Sequence, residues 1–143
     1  MASNYTPNFG LSQWSADDAV LRADFNEDNR KIDAALCGIP KIAAGTYTGT
    51  GGSGSSSPNY LTFDFEPQLV IISQNSATTE RAGVLFLRGQ TGCGGFGLQE
   101  NNLNLTLSWE GPTVVWYTNT GGSPASLQMN SSGSTYHYFA LGW

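Results

Sequence analysis

Basic residues are scarce in this sequence, and that scarcity excludes more than its motifs assert. Six Lys and Arg stand against eleven Asp and Glu in 143 residues, a net charge of −5. Phosphate binding needs clustered Lys and Arg, and Arg22, Arg30, Lys31, Lys41, Arg81 and Arg88 form no cluster beyond Lys41, so nucleic acid is not an expected partner. No apolar run approaches the roughly 18 residues of a membrane span, so insertion into a bilayer is not expected. The start, Met1-Ala-Ser-Asn-Tyr-Thr-Pro7, has neither a basic nor an apolar leader region, so no signal peptide is expected. Cysteine is nearly absent. Cys37 and Cys93 are far apart, and in a reducing cytosol two small buried thiols are a better expectation than a disulfide.

Charge is also unevenly spread. Six acids and four bases fall in residues 1–41, whereas residues 42–143 hold five acids and two bases. Nearly half of that second segment is Ser, Thr, Asn or Gly, giving a hydroxyl and amide surface of the kind common outside cells. This contrast divides the chain into an N-terminal docking segment and amphipathic helix, 1–40, and a C-terminal domain, 41–143.

Ser15 followed by Asp18 reads as a capping-box-like helix start, and Gly38 with Pro40 as the stop. Between them Leu21, Phe25, Ile32 and Leu36 form a narrow apolar stripe, broken by Asp28 or Asn29. Such a helix either packs on its own domain or forms a short parallel trimeric neck, in which a polar residue on the stripe sets register. Upstream, Phe9, Leu11 and Trp14 make an apolar cluster, either a staple or a docking point.

After Pro40 the apolar period becomes two. Leu61, Phe63 and Phe65 alternate with polar residues, as do Leu103, Leu105, Leu107 and Trp109. The unbroken runs Leu69–Ile72 and Val84–Leu87 predict central strands covered on both sides. Further strands are expected at Ile42–Thr48, Pro112–Thr118 and Thr135–Leu141, with weaker ones at Phe96–Gln99 and Ala125–Met129. The fold expected is mainly β: an antiparallel β-sandwich, jelly-roll-like or immunoglobulin-like, preceded by one N-terminal α-helix.

Catalytic signatures are thin. Gly49-Thr-Gly51-Gly-Ser-Gly54 and Gly92-Cys-Gly94-Gly-Phe-Gly97 fit the G-x-G-x-x-G spacing, but neither opens a helix whose N-terminus could face a phosphate. His137 is the sole histidine and has no ligand spacing around it, so no metal or other cofactor is expected. No nucleophile elbow accompanies it. Carboxylates for glycoside hydrolysis would have to come from Asp64, Glu66, Glu80, Glu100 and Glu110, whose spacing implies no pair. No enzyme is expected.

Aromatic residues are the remaining lead. Trp109 is in register with the leucines and belongs in the core, whereas Trp116 and Tyr117 point to opposite faces of one strand. Rings beside amides and hydroxyls suit sugars and protein epitopes alike. The candidate ligand-binding residues are therefore Trp116, Tyr117 and Asn119, with Tyr136 and His137 from the last strand. Burial of Trp116 in the core or a subunit interface is the competing expectation.

Two stretches carry a family resemblance. Asn8-Phe-Gly-Leu-Ser-Gln-Trp14 runs into Asp24-Phe-Asn-Glu-Asp-Asn-Arg-Lys-Ile-Asp33. Gly45-Thr-Tyr-Thr-Gly49 is followed by Phe65-Glu-Pro67 and by Asn130, Gly133, Tyr136, Tyr138, Ala140 and Gly142 at fixed spacing. Together they resemble tail-fibre-like and other structural proteins of phages and prophages of gut Gram-positive bacteria. The resemblance implies a homotrimeric tip, made in the bacterial cytoplasm and carried on the virion with other tail proteins. Such a tip contacts a bacterial surface receptor, commonly a glycan, and the stripe of Leu21, Phe25, Ile32 and Leu36 would then be its oligomerisation seam. It transfers no binding residue. A purely structural baseplate cap or trimerisation module, and a binding protein diversified by a retroelement, are the alternative expectations.

Overall fold

A computed structural model describes residues 1–74, 83–93, 95–96, 105–119 and 124–143, with the side chains of 93, 95 and 96 outside that description. The chain divides into two compact units, Met1–Ile39 and Pro40–Trp143.

In the first unit, β1 (Asn4–Tyr5) pairs antiparallel with β2 (Ser12–Gln13), ahead of helix α1 (Arg22–Cys37). Three aspartates organise it. Asp18 accepts hydrogen bonds from the Ser3 hydroxyl, the Ser3 amide at 2.9 Å and the Ser15 amide at 2.7 Å. Asp24 takes the Ala2 amide at 3.2 Å, and both oxygens of Asp28 take the Ser12 amide, at 3.0 and 2.9 Å. One sequence expectation changes here. The Ser15–Asp18 box closes an isolated turn, because its acid also serves Ser3, and the helix starts later, after Leu21, without a side-chain cap. Asp28, the polar break in the stripe, is buried, and its carboxylate accepts the Ser12 amide of β2.

The stripe itself is open. Leu21, Phe25, Ile32 and Leu36 are all exposed, Phe25 by 55% and Leu36 by 61%, although the Trp14 ring stacks on Phe25 at 6.5 Å. Among the described residues, Ala2 is the one apolar residue of this unit that is buried. Cys37, at the helix end, is a free and exposed thiol where burial was expected.

The second unit is an antiparallel β-sandwich. Strands β3 (Lys41–Thr48), β11 (Thr135–Gly142), β5 (Pro67–Gln74), β6 (Gly83–Leu87) and β8 (Gly95–Phe96) form a five-stranded sheet in that order. A four-stranded sheet runs β4 (Asn59–Thr62), β10 (Thr113–Thr118), β9 (Leu105–Glu110), β7 (Gly92–Cys93). Period-two alternation sends Val70, Ile72, Val84 and Phe86 from the first sheet against Leu105, Leu107, Val114 and Trp116 from the second. The last strand of the chain is central, pairing eight residues with β3 and running beside β5.

That central position explains the spaced residues of the C-terminal motif by packing. Tyr138 faces Gly45 across the ladder, and a Cβ on Gly45 would meet the tyrosine hydroxyl at 2.5 Å. Tyr136 stacks on Tyr47 with centroids 5.1 Å apart. A Cβ on Gly142 would lie 2.0 Å from the Glu66 carbonyl oxygen, where the strand register shifts.

Three strand expectations are corrected or bounded. Ala125–Gln128 is a short 3₁₀ helix following Pro124 and ending on Met129 in the left-handed conformation, because the Gln128 side chain turns inward. Leu103 and residues 97–99 lie outside the described residues. The runs in β5 and β6 are covered by the opposite sheet on one face only, and Leu85 and Leu87 are exposed on the other.

Bonds from the Ser3 side chain, then from Ser15, hold the Asp18 carboxyl below its usual value of 3.8. A carboxyl held low when folded stabilises the fold above its ordinary pKa, and that contribution disappears as pH falls through the lower folded value. Acidification from about pH 5 to about pH 2 should lower the exchange protection of the Ser3 and Ser15 amides relative to the intrinsic rate at each pH, and Asp18→Asn should flatten this pH dependence.

Candidate functional site

Strand β10 reads Thr-Val-Val-Trp-Tyr-Thr, and its alternation divides the predicted residues. Val114, Trp116 and Thr118 point inward; Thr113, Val115 and Tyr117 point outward. Trp116 is fully buried, with Phe86 at 5.4 Å and Tyr47 at 6.2 Å, and its indole N–H donates to the Gln128 carbonyl at 2.9 Å. Tyr136 is buried as well, its hydroxyl accepting the Ser131 amide at 2.9 Å. Neither ring can present a face to a ligand, so both leave the candidate site. The physical reason is shared: each is the large inward residue of a strand whose polar atom finds a backbone partner inside. His137 is exposed on the outer face of the five-stranded sheet, between Thr46 and Ser73. It is therefore on the sheet opposite Tyr117 and Asn119.

Two buried carboxamides hold β10 and its neighbouring loop in place. Gln128 Oε1 accepts the Gly54 amide at 2.8 Å and the Thr118 amide at 3.1 Å, while its Nε2 donates to the Ser57 carbonyl at 2.7 Å. Asn130 Oδ1 accepts the Thr50 amide at 2.8 Å, and its Nδ2 donates to the Thr50 hydroxyl and the Gly52 carbonyl, both at 2.9 Å. The first glycine-rich match thus spends the Thr50 and Gly54 N–H groups on its own chain. Burial, with Tyr136 alongside, pushes the Tyr47 hydroxyl far above its usual value, and it remains a donor to the Met129 carbonyl at 2.7 Å.

What remains outside is a strip of rings and hydroxyls on the four-stranded sheet. Register places Tyr60, Val115 and Ser108 in one row, and Thr62, Thr113 and Glu110 in the next. Tyr117 stands opposite Thr106 in a third row, and the Thr106 hydroxyl donates to the Asn119 side-chain oxygen. The Thr62 and Thr113 hydroxyls are 2.9 Å apart. Tyr60 is 69% exposed and Tyr117 half-buried, diagonal neighbours on one face. Glu110 is the sole ionisable side chain in these three rows apart from the tyrosines, and no base is present.

Tyr117 and Asn119 were legible as candidates from the sequence; Tyr60, Ser108 and Thr113 were not. Their one signal is position: Tyr60 precedes Leu61 in an alternating strand and so faces outward. That β4 lies beside β10 is a matter of topology alone.

Among the described residues no three His, Cys, Asp or Glu side chains converge as metal ligands. Glu66 is 3.7 Å from the Arg88 guanidinium, which also donates to the Pro67 and Gly111 carbonyls, and Glu80 and Glu100 lie outside the described residues. No family model, curated protein or solved structure matches the chain.

These positions predict opposite mutational behaviour on one strand pair. Trp116→Ala should cost about 3–5 kcal/mol in chemical denaturation, through the cavity and the lost indole bond to the Gln128 carbonyl. Tyr60→Ala should stay within about 0.5 kcal/mol of wild type in the same assay.

Proposed function

We propose that this chain is a non-enzymatic attachment module of the phage tail-fibre type, which binds an uncharged glycan on a bacterial surface. The observation that carries the reading is the outer strip of the four-stranded sheet, where the exposed Tyr60 ring lies beside Tyr117 and is bordered by Thr and Ser hydroxyls. A pyranose stacks its apolar face on such a ring while its hydroxyls bond to fixed donors and acceptors at the edge. The charge of the strip narrows the ligand. One carboxylate and no base would repel phosphate-bearing or uronic polymers and accept neutral sugars. The sequence resemblance to tail-fibre-like proteins agrees with this use, and on the same reading the module rides in a virion, assembled with other tail proteins.

The N-terminal unit supplies the carrier in this reading. A 39-residue unit with its stripe of Leu21, Phe25, Ile32 and Leu36 in water has too little core for independent stability, and three parallel copies would cover those side chains. The same stripe favours a second reading, a purely structural trimerisation piece without a ligand.

Titrating purified cell-wall polysaccharides of Gram-positive gut bacteria separates the two. Binding should be found among neutral polymers, with teichoic-acid-rich fractions inert, and Tyr60→Ala should weaken it by about tenfold, with Tyr117→Ala similar. Saturable binding that ignores both substitutions would remove this strip as the site, and no binding to any fraction would favour the structural reading.

A further inference from the structure

The five-stranded sheet has a second apolar face, directed away from the core. Every other residue of β5, β6 and β11 enters the sandwich; the intervening ones turn outward. Cross-strand register sets them in rows. Ile42, Leu141, Leu69 and Leu87 span four strands in one row, and Ala44, Phe139, Ile71 and Leu85 span the same strands in the next. All eight are apolar. Ile42 is 62% exposed and Leu87 44%. The following row, Thr46, His137 and Ser73, is polar and bounds the patch.

The opposite sheet of the same domain is an internal comparison. Its outer rows are mostly hydroxyl, as a solvated antiparallel face should be. Strands that are apolar on both faces have the pattern of strands covered on both sides.

We propose that this face is a contact between copies of the chain. Its two rows contain no ionisable side chain, so two chains of charge −5 meet there without apposing like charges. The exposed area of the rows is roughly 500 Å², comparable to the largest apolar patch on a typical monomer. Two copies meeting through this face would bury about 1,000 Å² in total, the size of a weak, reversible contact.

Light scattering on the full chain tests this with two sheet variants and one helix variant. Ile42→Lys/Leu87→Lys alters the two most exposed of the leucine and isoleucine side chains in the rows, and Phe25→Asp/Leu36→Asp alters the stripe. Wild type should run as a multiple of 15.2 kDa, and the lysine variant should fall toward that single-chain mass. A sheet variant that keeps the wild-type mass overturns the sheet contact, whatever the helix variant does. A monomeric wild type overturns the sheet contact and the helix reading together. If the lysine variant loses its near-UV circular dichroism, Ile42→Thr/Leu87→Thr decides, since threonine keeps strand propensity. Its dissociation concentration should rise by about tenfold or more, and an unchanged value overturns the proposal.

Discussion

Gln128 and Asn130 are the pair on which the sandwich depends. Each is buried, and each uses both ends of its carboxamide on backbone 70 to 80 residues away in sequence. The Gln128 carbonyl also satisfies the indole of Trp116, the largest fully buried side chain. Loop 49–58 has little apolar material of its own, so these bonds substitute for a core beneath it. A buried amide that loses its partner costs about 1–3 kcal/mol for each group left unpaired, so the network favours one arrangement over its near alternatives. That arrangement fixes the end of β10 through the Thr118 amide, and with it the outward placing of Tyr117 and Asn119. The candidate receptor strip is thus the outer side of a strand whose inner side is clamped.

Alternation made much of this legible in the sequence. The strands at Ile42–Thr48, Leu69–Ile72, Val84–Leu87 and Pro112–Thr118 follow from period two or from apolar runs, and the opposition of Trp116 and Tyr117 follows from the pleat. Which of those two rings faces inward does not follow, because it depends on the sheet lying behind β10. Ala125–Met129 has strand-like spacing, yet Pro124 and the inward carboxamide of Gln128 favour a 3₁₀ turn. Ser15–Asp18 has the local pattern of a helix cap, but Ser3, twelve residues before Ser15, competes for the same carboxylate. Asp28 is the same lesson on a larger scale: a polar residue on an apolar stripe is accounted for by the Ser12 amide, sixteen residues away.

Two surfaces of the chain remain apolar in water, and both are readable as patterns in the sequence. The helix stripe has the spacing of a seam, and β5 and β6 are apolar on both faces. Hydrophobic burial scales with the area removed from water, roughly 25 cal/mol per Å², so several hundred Å² left exposed is a driving force for covering it. The candidate strip differs in kind. Its two rings stand among hydroxyls, a surface suited to a wet, reversible ligand and poorly suited to permanent association. On the reading proposed above, association and recognition fall on opposite faces of one sandwich.

The most direct test of that assignment is an NMR titration of the labelled full chain with a neutral cell-wall polysaccharide of Gram-positive gut bacteria. The account predicts shift changes concentrated at Tyr60, Ser108, Val115, Tyr117 and Asn119, with Ile42, Leu87 and Phe139 unmoved. Changes centred on Ile42, Leu87 and Phe139 instead would contradict it, because the ligand would then occupy the surface assigned to a second copy.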